Sequence, residues 1–316
     1  MKHDIIRRVL VIGAGTMGLE IAWQCAAHGY DVVVYDAVAK ALRGAERRLI
    51  DYSAELLVQG FVSPDEVRET FKRISFVGDP KNAAQGIDLI SESITEDPKI
   101  KGKVFAQFNT LCPPETIFTT NTSTLLPSKF ARASGRPEKL IALHFHPPVW
   151  TRNIVDVMPH KGTDPEVIDL VLEFARSIGQ IPIHLKRENR SYVFNTMFTA
   201  VNQEAVTLAA NGVASVEDID RAWMGVMKTP AGPFGMMDLV GLDTVLHILN
   251  YWVKRVFFIP QIRKNRDFIK QYVDRGWLGV KSEHGFYIYP NPAFQSPDFF
   301  AIVPTDGEER LETSNG

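Results

Sequence analysis

The chain has 316 residues, of which 45% are hydrophobic and 23% are charged, and its formal net charge is −2. A chain of this length and composition can bury a large core and is long enough for two domains. Because acidic and basic residues are interspersed and nearly balanced, the composition indicates neither a nucleic-acid-binding protein nor a polybasic protein that binds anionic membranes.

The first residues and the two cysteines favour a cytoplasmic protein. The sequence MKHDIIRRVLVIGAG has only a short apolar run before its glycines, too short for a signal peptide or a membrane span. Cys25 and Cys112 are far apart and lack the Cys-x-x-Cys spacing of zinc knuckles. We therefore expect a reducing compartment and no disulfide framework.

Eight β-branched runs alternate with helical segments between residues 8 and 186. In chain order they are RVLVIG, YDVVVYD, RISFVG, IDLISES, TIFTTN, LIALHFH, NIVDVMPH and IPIHL. Strands separated by helices of crossover length predict a mostly parallel, doubly wound sheet with helices on both faces.

A glycine-rich turn follows the first of these strands. VLVIGAGTMGLEIA places Gly13, Gly15 and Gly18 between a predicted strand and a predicted helix, with Thr16 and Met17 at the helix start. In such a turn the first glycine allows the tight bend, the second lets the backbone approach a pyrophosphate, and the third lets helix and strand pack closely. The helix N-terminus favours the phosphate charge. The pattern predicts a Rossmann-type dinucleotide site formed by these five residues.

The second predicted strand ends at Asp36. An acid at this position binds the ribose hydroxyls of an adenosine and repels a 2′-phosphate. Since no arginine follows immediately, the sequence favours NAD over NADP as the cofactor.

The pattern changes after about residue 186, where helical segments replace the alternation. YVFNTMFTAVNQEAVTLAANG has helical periodicity, and SVEDIDRAWMGVM opens with a serine and acids, as a capped helix does. Further helical stretches are GLDTVLHILNYWVKRVF and RDFIKQYVDRG. We expect a Rossmann-type domain at 1–188, a mainly helical domain at 189–290 and a C-terminal tail at 291–316, in which FFAIV is apolar enough to dock.

The stretch LHFHPPVWTRNIVDVM carries two histidines two residues apart and an acid twelve residues after the first. On a strand, His144 and His146 would share a face because successive side chains point to opposite sides. The geometry alone leaves three interpretations open: a metal site, part of a core, or an acid/base pair.

From these motifs onward the chain resembles the L-3-hydroxyacyl-CoA dehydrogenase family over nearly its whole length. The similar elements are GAGTMG, SITEDPKIKGKVF, TNTST, LHF followed by an acid, TPAGPFGMMDLVGLD and HGFYIY. TNTSTLLPS, LHF followed by VW, and GTDPEV look closest to a branch that includes diketoreductase, which accepts 3-keto substrates without CoA. The resemblance implies a homodimer formed through the helical domain.

The resemblance also implies a set of site residues. The family's catalytic serine, histidine, acid and asparagine fall on Ser123, His144, Asp156 and Asn195. On the cofactor side, its acid, two lysines and asparagine fall on Glu96, Lys101, Lys281 and Asn121.

The chemistry of hydride transfer from a secondary alcohol supports these roles. The hydroxyl proton must be removed, and a neutral histidine is the side chain with the most suitable pKa for that step. Asp156 would fix the tautomer of His144 and stabilise its imidazolium. Ser123 and Asn195 would hold the substrate oxygens.

Several positions depart from the family pattern. Asp156 stands where the family has glutamate, Pro147 removes an amide that typically reaches the cofactor, and His146 is new. RSYVF replaces the usual PGF before Asn195, and the helix that is lysine-rich in the family carries Arg43, Arg47 and Arg48 instead. These changes leave open whether the substrate carries CoA.

Two alternatives concern individual residues. A metal bound by His144, His146 and Asp156 would have suitable ligand types, but it would take the histidine that must act as the base. We therefore expect no metal. Ser123 could instead cap a helix at LPSKF.

The sequence and the resemblance together predict an NAD-dependent dehydrogenase that acts on small-molecule 3-hydroxyacyl compounds. The resemblance also implies a role in fatty acid metabolism. The alternatives are a reductase of 3-keto acids or esters without CoA, and an NAD-binding protein with little catalytic activity.

Overall fold

All eight β-branched runs form strands in the computed structural model, which describes residues 6–253 and 259–301. The strands are β1 (Arg8–Ile12), β2 (Asp31–Tyr35), β3 (Ile74–Val77), β4 (Leu89–Glu92), β5 (Ile117–Thr120), β6 (Leu140–Phe145), β7 (Ile154–Pro159) and β8 (Ile181–His184). They lie in one sheet in the order β3-β2-β1-β4-β5-β6-β7-β8.

Every neighbouring pair in this sheet is parallel except β6 and β7. The connection between Phe145 and Ile154 is too short for the crossover that parallel strands need, so β7 returns antiparallel to β6. The strand order reverses between β1 and β4, and ligands of open α/β sheets bind beyond the carboxyl ends of the strands at such a switch point.

The α-helices fill the connections and the second half of the chain. They are α1 (Thr16–Ala27), α2 (Ala39–Arg43), α3 (Ala45–Val58), α4 (Pro64–Lys72), α5 (Pro80–Ala83), α6 (Pro98–Leu111), α7 (Ala131–Ser134), α8 (Pro165–Ser177), α9 (Phe194–Ala210), α10 (Val216–Met227), α11 (Pro233–Val240), α12 (Leu242–Val253) and α13 (Pro260–Val273). Short 3-10 helices lie at Pro127–Lys129, Pro137–Lys139, Val280–Ser282, Ala293–Gln295 and Pro297–Phe300.

The two faces of the sheet carry separate cores. Val9 and Val11 of β1 pack with residues of α1, α3 and α8, whereas Leu10 and Ile12 pack with residues of α5, α6 and α7. This alternation follows from the two-residue period of a strand. The predicted fold class, a Rossmann-type, mostly parallel sheet followed by a helical part, is confirmed.

The chain divides into two compact units between Thr196 and Met197. The predicted limits 1–188, 189–290 and 291–316 stay a prediction. None of the described helices has the length and apolar character needed to cross a membrane.

The second unit has its own apolar core, built from α9 to α13 and from the segment around Tyr287 and Phe299. The capped helix predicted at SVEDIDRAWMGVM is present, because the Ser215 side chain accepts a hydrogen bond from the Asp218 amide at 3.0 Å. Of the predicted docking segment FFAIV, Phe299 is buried in this core and Phe300 is half exposed. The tail beyond residue 301 and part of GLDTVLHILNYWVKRVF lie outside the described residues.

Candidate active site

The glycine turn lies at the carboxyl end of β1. Gly13 has a φ of +108°, and a Cβ there would lie 2.4 Å from the Ser93 carbonyl oxygen. A Cβ on Gly18 would lie 1.9 Å from the Gly13 carbonyl oxygen, whereas nothing approaches Gly15 within 4 Å. Only glycine fits the two closed positions, and the open backbone at Gly15 leaves room for a ligand to come close.

Helix α1 begins directly after this turn, and Thr16 and Met17 are its first two residues. Its N-cap residue is Gly15, and no side chain caps the helix start. The first backbone N–H groups of a helix are donors without an intrahelical partner and favour an anion. The turn therefore fits the pyrophosphate of a dinucleotide.

Asp36 follows β2 and contacts the same turn. One of its carboxylate oxygens accepts from the Ala14 amide at 2.9 Å, and the other accepts from the Val38 amide at 2.8 Å. Arg48, which is 12 positions further along the chain, also reaches the turn and donates from Nη2 to the Ala14 carbonyl at 2.6 Å. The sequence argument missed this arginine because α3 carries it back to the turn; it also donates to the carbonyls of Ala41 and Gly44.

His144 and Asp156 face each other across the antiparallel pair β6 and β7, where they are register partners. The distance from His144 Nδ1 to Asp156 Oδ2 is 3.1 Å, and both residues are buried, at 3% and 1% exposure. The sheet thus brings together an imidazole and a carboxylate, as the resemblance implied. The shorter acid still reaches the histidine.

Burial and hydrogen bonding set the charge states of this pair. Burial lowers the pKa of His144 below its ordinary value, and the nearby His146 adds to that effect while Asp156 opposes it. Burial acts to raise the pKa of Asp156, but hydrogen bonds from the two histidines outweigh it, so that pKa lies below its ordinary value. Asp156 is therefore a carboxylate that accepts from His144 Nδ1, which leaves Nε2 of the neutral ring as an acceptor.

Ser123 lies on the other side of the imidazole. The distance from its Oγ to His144 Nε2 is 3.2 Å. The Glu96 carboxylate holds the loop around this serine, because it accepts from the amides of Ser123 at 3.1 Å and Thr124 at 3.0 Å and from the Thr122 hydroxyl. These bonds and the neighbouring Lys101 outweigh burial and lower the pKa of Glu96.

The alternative that Ser123 caps a helix at LPSKF is wrong. The helical turn there is Pro127–Lys129, its N-cap residue is Leu126, and no side chain caps it. The Ser123 hydroxyl is instead placed against the imidazole.

Lys101 is buried and forms an ion pair with Glu92, a residue that the sequence argument did not single out. The Lys101 Nζ to Glu92 Oε1 distance is 2.6 Å, and the exposed fractions of the two side chains are 1% and 0%. Lys101 also donates to the Ile94 carbonyl, and its Nζ is 3.5 Å from Glu96 Oε2. The ion pair fixes the segment that carries Glu96. Because Glu96 holds the Ser123 loop, Lys101 supports that loop indirectly.

The other predicted residues lie in three places. Asn121 joins the ends of β5 and β6, because its Oδ1 accepts from the Phe145 amide at 2.8 Å. Asn195 is the second residue of α9, and within the described part of the chain it makes no hydrogen bond to the histidine or the serine. In the second unit, Lys281 forms an ion pair with Asp243 at 2.6 Å.

His146 contacts the same carboxylate oxygen as His144. Its Nε2 is 3.1 Å from Asp156 Oδ2, and its ring meets the Phe194 ring edge to face at 5.7 Å. The prediction that the two histidines share a face is consistent with this arrangement, although His146 lies just beyond the end of β6.

These three residues also lie close enough together to be candidate ligands of a metal ion. The donor atoms of His144, His146 and Asp156 all lie within 4.8 Å of one another. A metal ion on Nδ1 of His144 would move the ring proton to Nε2, the nitrogen that faces Ser123. Since that proton would prevent Nε2 from accepting another, we retain the acid/base interpretation.

Tyr192 completes the surroundings of the imidazole and was not predicted from the sequence. Its ring stacks on the His144 ring with 4.6 Å between centroids and 13° between planes. The residue is 1% exposed, and its φ of 54° is unusual for a residue other than glycine. The departure from the usual PGF segment was the only sequence signal at this position.

Comparison with known proteins matches both halves of the chain to one family. Residues 8–188 match 3-hydroxyacyl-CoA dehydrogenase, NAD binding domain, and residues 192–289 match 3-hydroxyacyl-CoA dehydrogenase, C-terminal domain. The human mitochondrial hydroxyacyl-coenzyme A dehydrogenase is 31% identical over 293 residues, covering 91% of this chain and 93% of that protein. The 3-hydroxybutyryl-CoA dehydrogenase of Clostridioides difficile is 33% identical and covers 89% of this chain and 99% of its own.

Solved structures give the same result. A diketoreductase, described as carrying out substrate-directed dual catalysis of dicarbonyl compounds, has a TM-score of 0.83 at 36% identity and covers 90% of this chain and 99% of its own. The (S)-3-hydroxybutyryl-CoA dehydrogenase of Ralstonia eutropha has a TM-score of 0.80 at 26% sequence identity. The match covers 90% of this chain and 100% of that protein.

Proposed function

The chain belongs to the 3-hydroxyacyl-CoA dehydrogenase family and is an NAD-dependent oxidoreductase, and we propose that it transfers a hydride between NAD(H) and the C3 hydroxyl or keto group of a 3-hydroxyacyl compound. The observation that carries this proposal is the position of His144, which contacts Asp156 through one ring nitrogen and Ser123 through the other. An imidazole held in this way is suited to move a proton to and from a substrate oxygen.

His144 acts as the general base in the oxidative direction. Because burial lowers its pKa, the ring is neutral at neutral pH, and Nε2 can accept the proton of the C3 hydroxyl. The Asp156 carboxylate stabilises the imidazolium that forms and keeps the proton of the neutral ring on Nδ1. In the reductive direction the imidazolium returns the proton to the C3 oxygen.

Ser123 positions the substrate oxygen beside His144. Its hydroxyl lies within hydrogen-bond distance of Nε2, so it can donate to the C3 oxygen while that oxygen faces the imidazole. Glu96 is then a positioning residue, since it holds the backbone of the serine loop. Asn195 is proposed to hold a second substrate oxygen from the start of α9.

The residues of the first unit fit a bound dinucleotide. Gly13, Gly15, Thr16, Met17 and Gly18 form the turn and helix start that would hold the pyrophosphate. Asp36 would bind the adenosine ribose, and Glu96, Lys101 and Asn121 are proposed to complete the cofactor site within this unit. When bound, NAD(H) supplies the hydride acceptor or donor.

A second candidate is a reductase of 3-keto acids or esters that lack CoA. Two of the three arginines that replace the family's lysine-rich helix already have partners in the protein. Arg48 donates to carbonyls of the glycine turn and of α2, and Arg47 pairs with Asp51 at 3.1 Å. Their engagement, together with the similarity to a diketoreductase, favours substrates without CoA.

We further propose that the protein is cytoplasmic and forms a homodimer through the helical domain. Several apolar side chains of that unit are exposed, including Val213, Val226, Met227 and Leu239. Exposed apolar side chains that adjoin one another are typical of interfaces between subunits, and these residues are candidates for such an interface.

Steady-state kinetics with acetoacetyl-CoA and with a plain 3-keto ester test the proposal and separate its alternatives. Turnover of the thioester supports the dehydrogenase, and turnover of the ester alone supports the second candidate. His144→Gln should lower kcat by at least ~10²-fold with either substrate, while the Kd for NADH stays within about twofold. If the protein binds NADH but turns over neither substrate, the result supports the third alternative, an NAD-binding protein with little catalytic activity.

A further inference from the structure

The Tyr192 hydroxyl is a buried donor that has no partner among the described residues. The side chain is 1% exposed, and its Oη forms no hydrogen bond within the described part of the chain. Buried polar groups almost always have partners, so an unpaired hydroxyl at a functional site calls for a ligand that supplies one.

The carboxylates whose charges act on this hydroxyl already accept hydrogen bonds from other groups. The electrostatic neighbours of Tyr192 are the carboxylates of Glu96, Asp156, Glu92 and Glu188, which together with burial raise its pKa far above the ordinary value. The phenol therefore keeps its proton and remains a donor. Each of these carboxylates accepts hydrogen bonds from other groups, namely the serine loop, the two histidines, the buried lysine and the Ser128 amide.

The backbone holds Tyr192 in this place against its own preference. Ser191 and Tyr192 have φ values of 61° and 54°, a region that residues other than glycine rarely occupy. Asn189 and Thr196 stabilise the bend, because the Asn189 side-chain amide and the Thr196 hydroxyl both donate to the Tyr192 carbonyl. Strained residues that are held in this way are concentrated at functional sites.

The stacking on His144 places the Tyr192 ring beside the reacting centre. The two rings lie nearly parallel with 4.6 Å between their centroids, so the phenol ring covers one face of the imidazole. We propose that Tyr192 Oη donates a hydrogen bond to a second oxygen of the bound substrate, a carbonyl or carboxylate oxygen other than the one at C3. Tyr192 is then a specificity-determining residue for substrates with two oxygen functions, an inference that rests on the proposed function.

Two conservative substitutions test this assignment as a matched pair. Tyr192→Phe removes the unpaired hydroxyl and should lower kcat/KM for a 3-keto ester by ~10- to 100-fold without lowering the Tm of the free protein. Tyr30→Phe removes a hydroxyl that bonds the Ser177 side chain outside the site, so it should lower the Tm and leave kcat/KM unchanged. The opposite pattern of the two variants distinguishes a substrate contact from a structural role.

Two results would overturn the assignment. A kcat/KM for Tyr192→Phe within about threefold of the wild-type value would show that the hydroxyl does not meet the substrate. If the Kd for NADH of Tyr192→Phe rises by the same factor as its kcat/KM falls, the oxygen that accepts from the hydroxyl belongs to the cofactor and not to the substrate. His144→Gln is measured alongside. If His144→Gln keeps full turnover, the proposed function fails. If His144→Gln loses turnover while Tyr192→Phe keeps full activity, only the inference about Tyr192 is refuted.

Discussion

Replacing Asp156 with asparagine should separate the charge of the acid from its shape. In the native site one carboxylate oxygen accepts from His144 Nδ1 and from His146 Nε2, each at 3.1 Å. An amide of the same size has a single acceptor oxygen without charge, and its NH₂ group cannot accept. If the NH₂ group faces His144, the imidazole must move its proton to Nε2 and can no longer act as the base.

The size of the effect follows from the lost charge-assisted hydrogen bond. A bond to a charged group contributes about 1.5–3 kcal/mol, and about 1.36 kcal/mol corresponds to a tenfold change in rate. When the amide oxygen still accepts from His144, a neutral bond of about 1 kcal/mol replaces the charged one, so we expect kcat/KM to fall by roughly 2- to 30-fold. The loss should approach ~10⁴-fold when the tautomer changes, which is the upper range for general acid/base catalysis.

The pH dependence of both reaction directions should shift to lower pH in Asp156→Asn. The Asp156 charge acts to raise the pKa of His144, so its removal lowers that pKa further. Reduction starts from the imidazolium, and its optimum should move to lower pH in Asp156→Asn. Oxidation starts from the neutral ring, so its acidic limb should also move to lower pH. Initial rates of NADH formation and consumption across the histidine titration range measure both shifts.

Two further variants complete this experiment. Asp164→Asn makes the same chemical change at the exposed N-cap of α8 and should leave the kinetics unchanged. Asp156→Glu should lower turnover, because the aspartate already reaches both histidines and a longer acid would overpack a site that is 1% exposed. Wild-type rates and pH profiles for Asp156→Asn in both directions would refute the role of Asp156.

Two other predictions concern the first unit. Lys101→Met leaves Glu92 as an unpaired charge at 0% exposure, so it should lower the free energy of unfolding by about 3–5 kcal/mol in urea titrations. The double variant with Glu92→Gln should recover part of the lost stability. A Lys101→Met protein as stable as the wild type would contradict the ion-pair argument. Asp36→Ala should weaken NAD binding and narrow the preference over NADP in cofactor titrations, because Asp36 contacts the glycine turn and repels a 2′-phosphate. Equal affinities of the wild type for both cofactors would remove this argument.

The parts of the fold that depend on short segments could be predicted from the sequence. Each β-branched run between helical segments formed a strand, and Gly13 and Gly18 of the first turn lie where the backbone has no room for a side chain. The steric limits of a strand, a tight turn or a helix cap act on neighbouring residues, so a local pattern carries them.

The candidate residues could be named from motifs, but their contacts could not. The sequence around Ser123 fitted both a catalytic serine and a helix cap. Only the position of its loop beside His144 distinguished the two interpretations. Glu96 and Lys101 were expected on the cofactor side, whereas the structure also uses them to hold the Ser123 loop in place. A motif fixes residue types and spacing, and it does not determine which side chain meets which.

Only the tertiary structure decided the arrangement around the imidazole. The register of β6 against β7 places Asp156 opposite His144, and the strained segment that enters α9 places Tyr192 on the same ring. Helix α3 returns Arg48 to the glycine turn in the same way. Such contacts join residues that are distant in the chain, and they form only when the packing of whole strands and helices fixes one register.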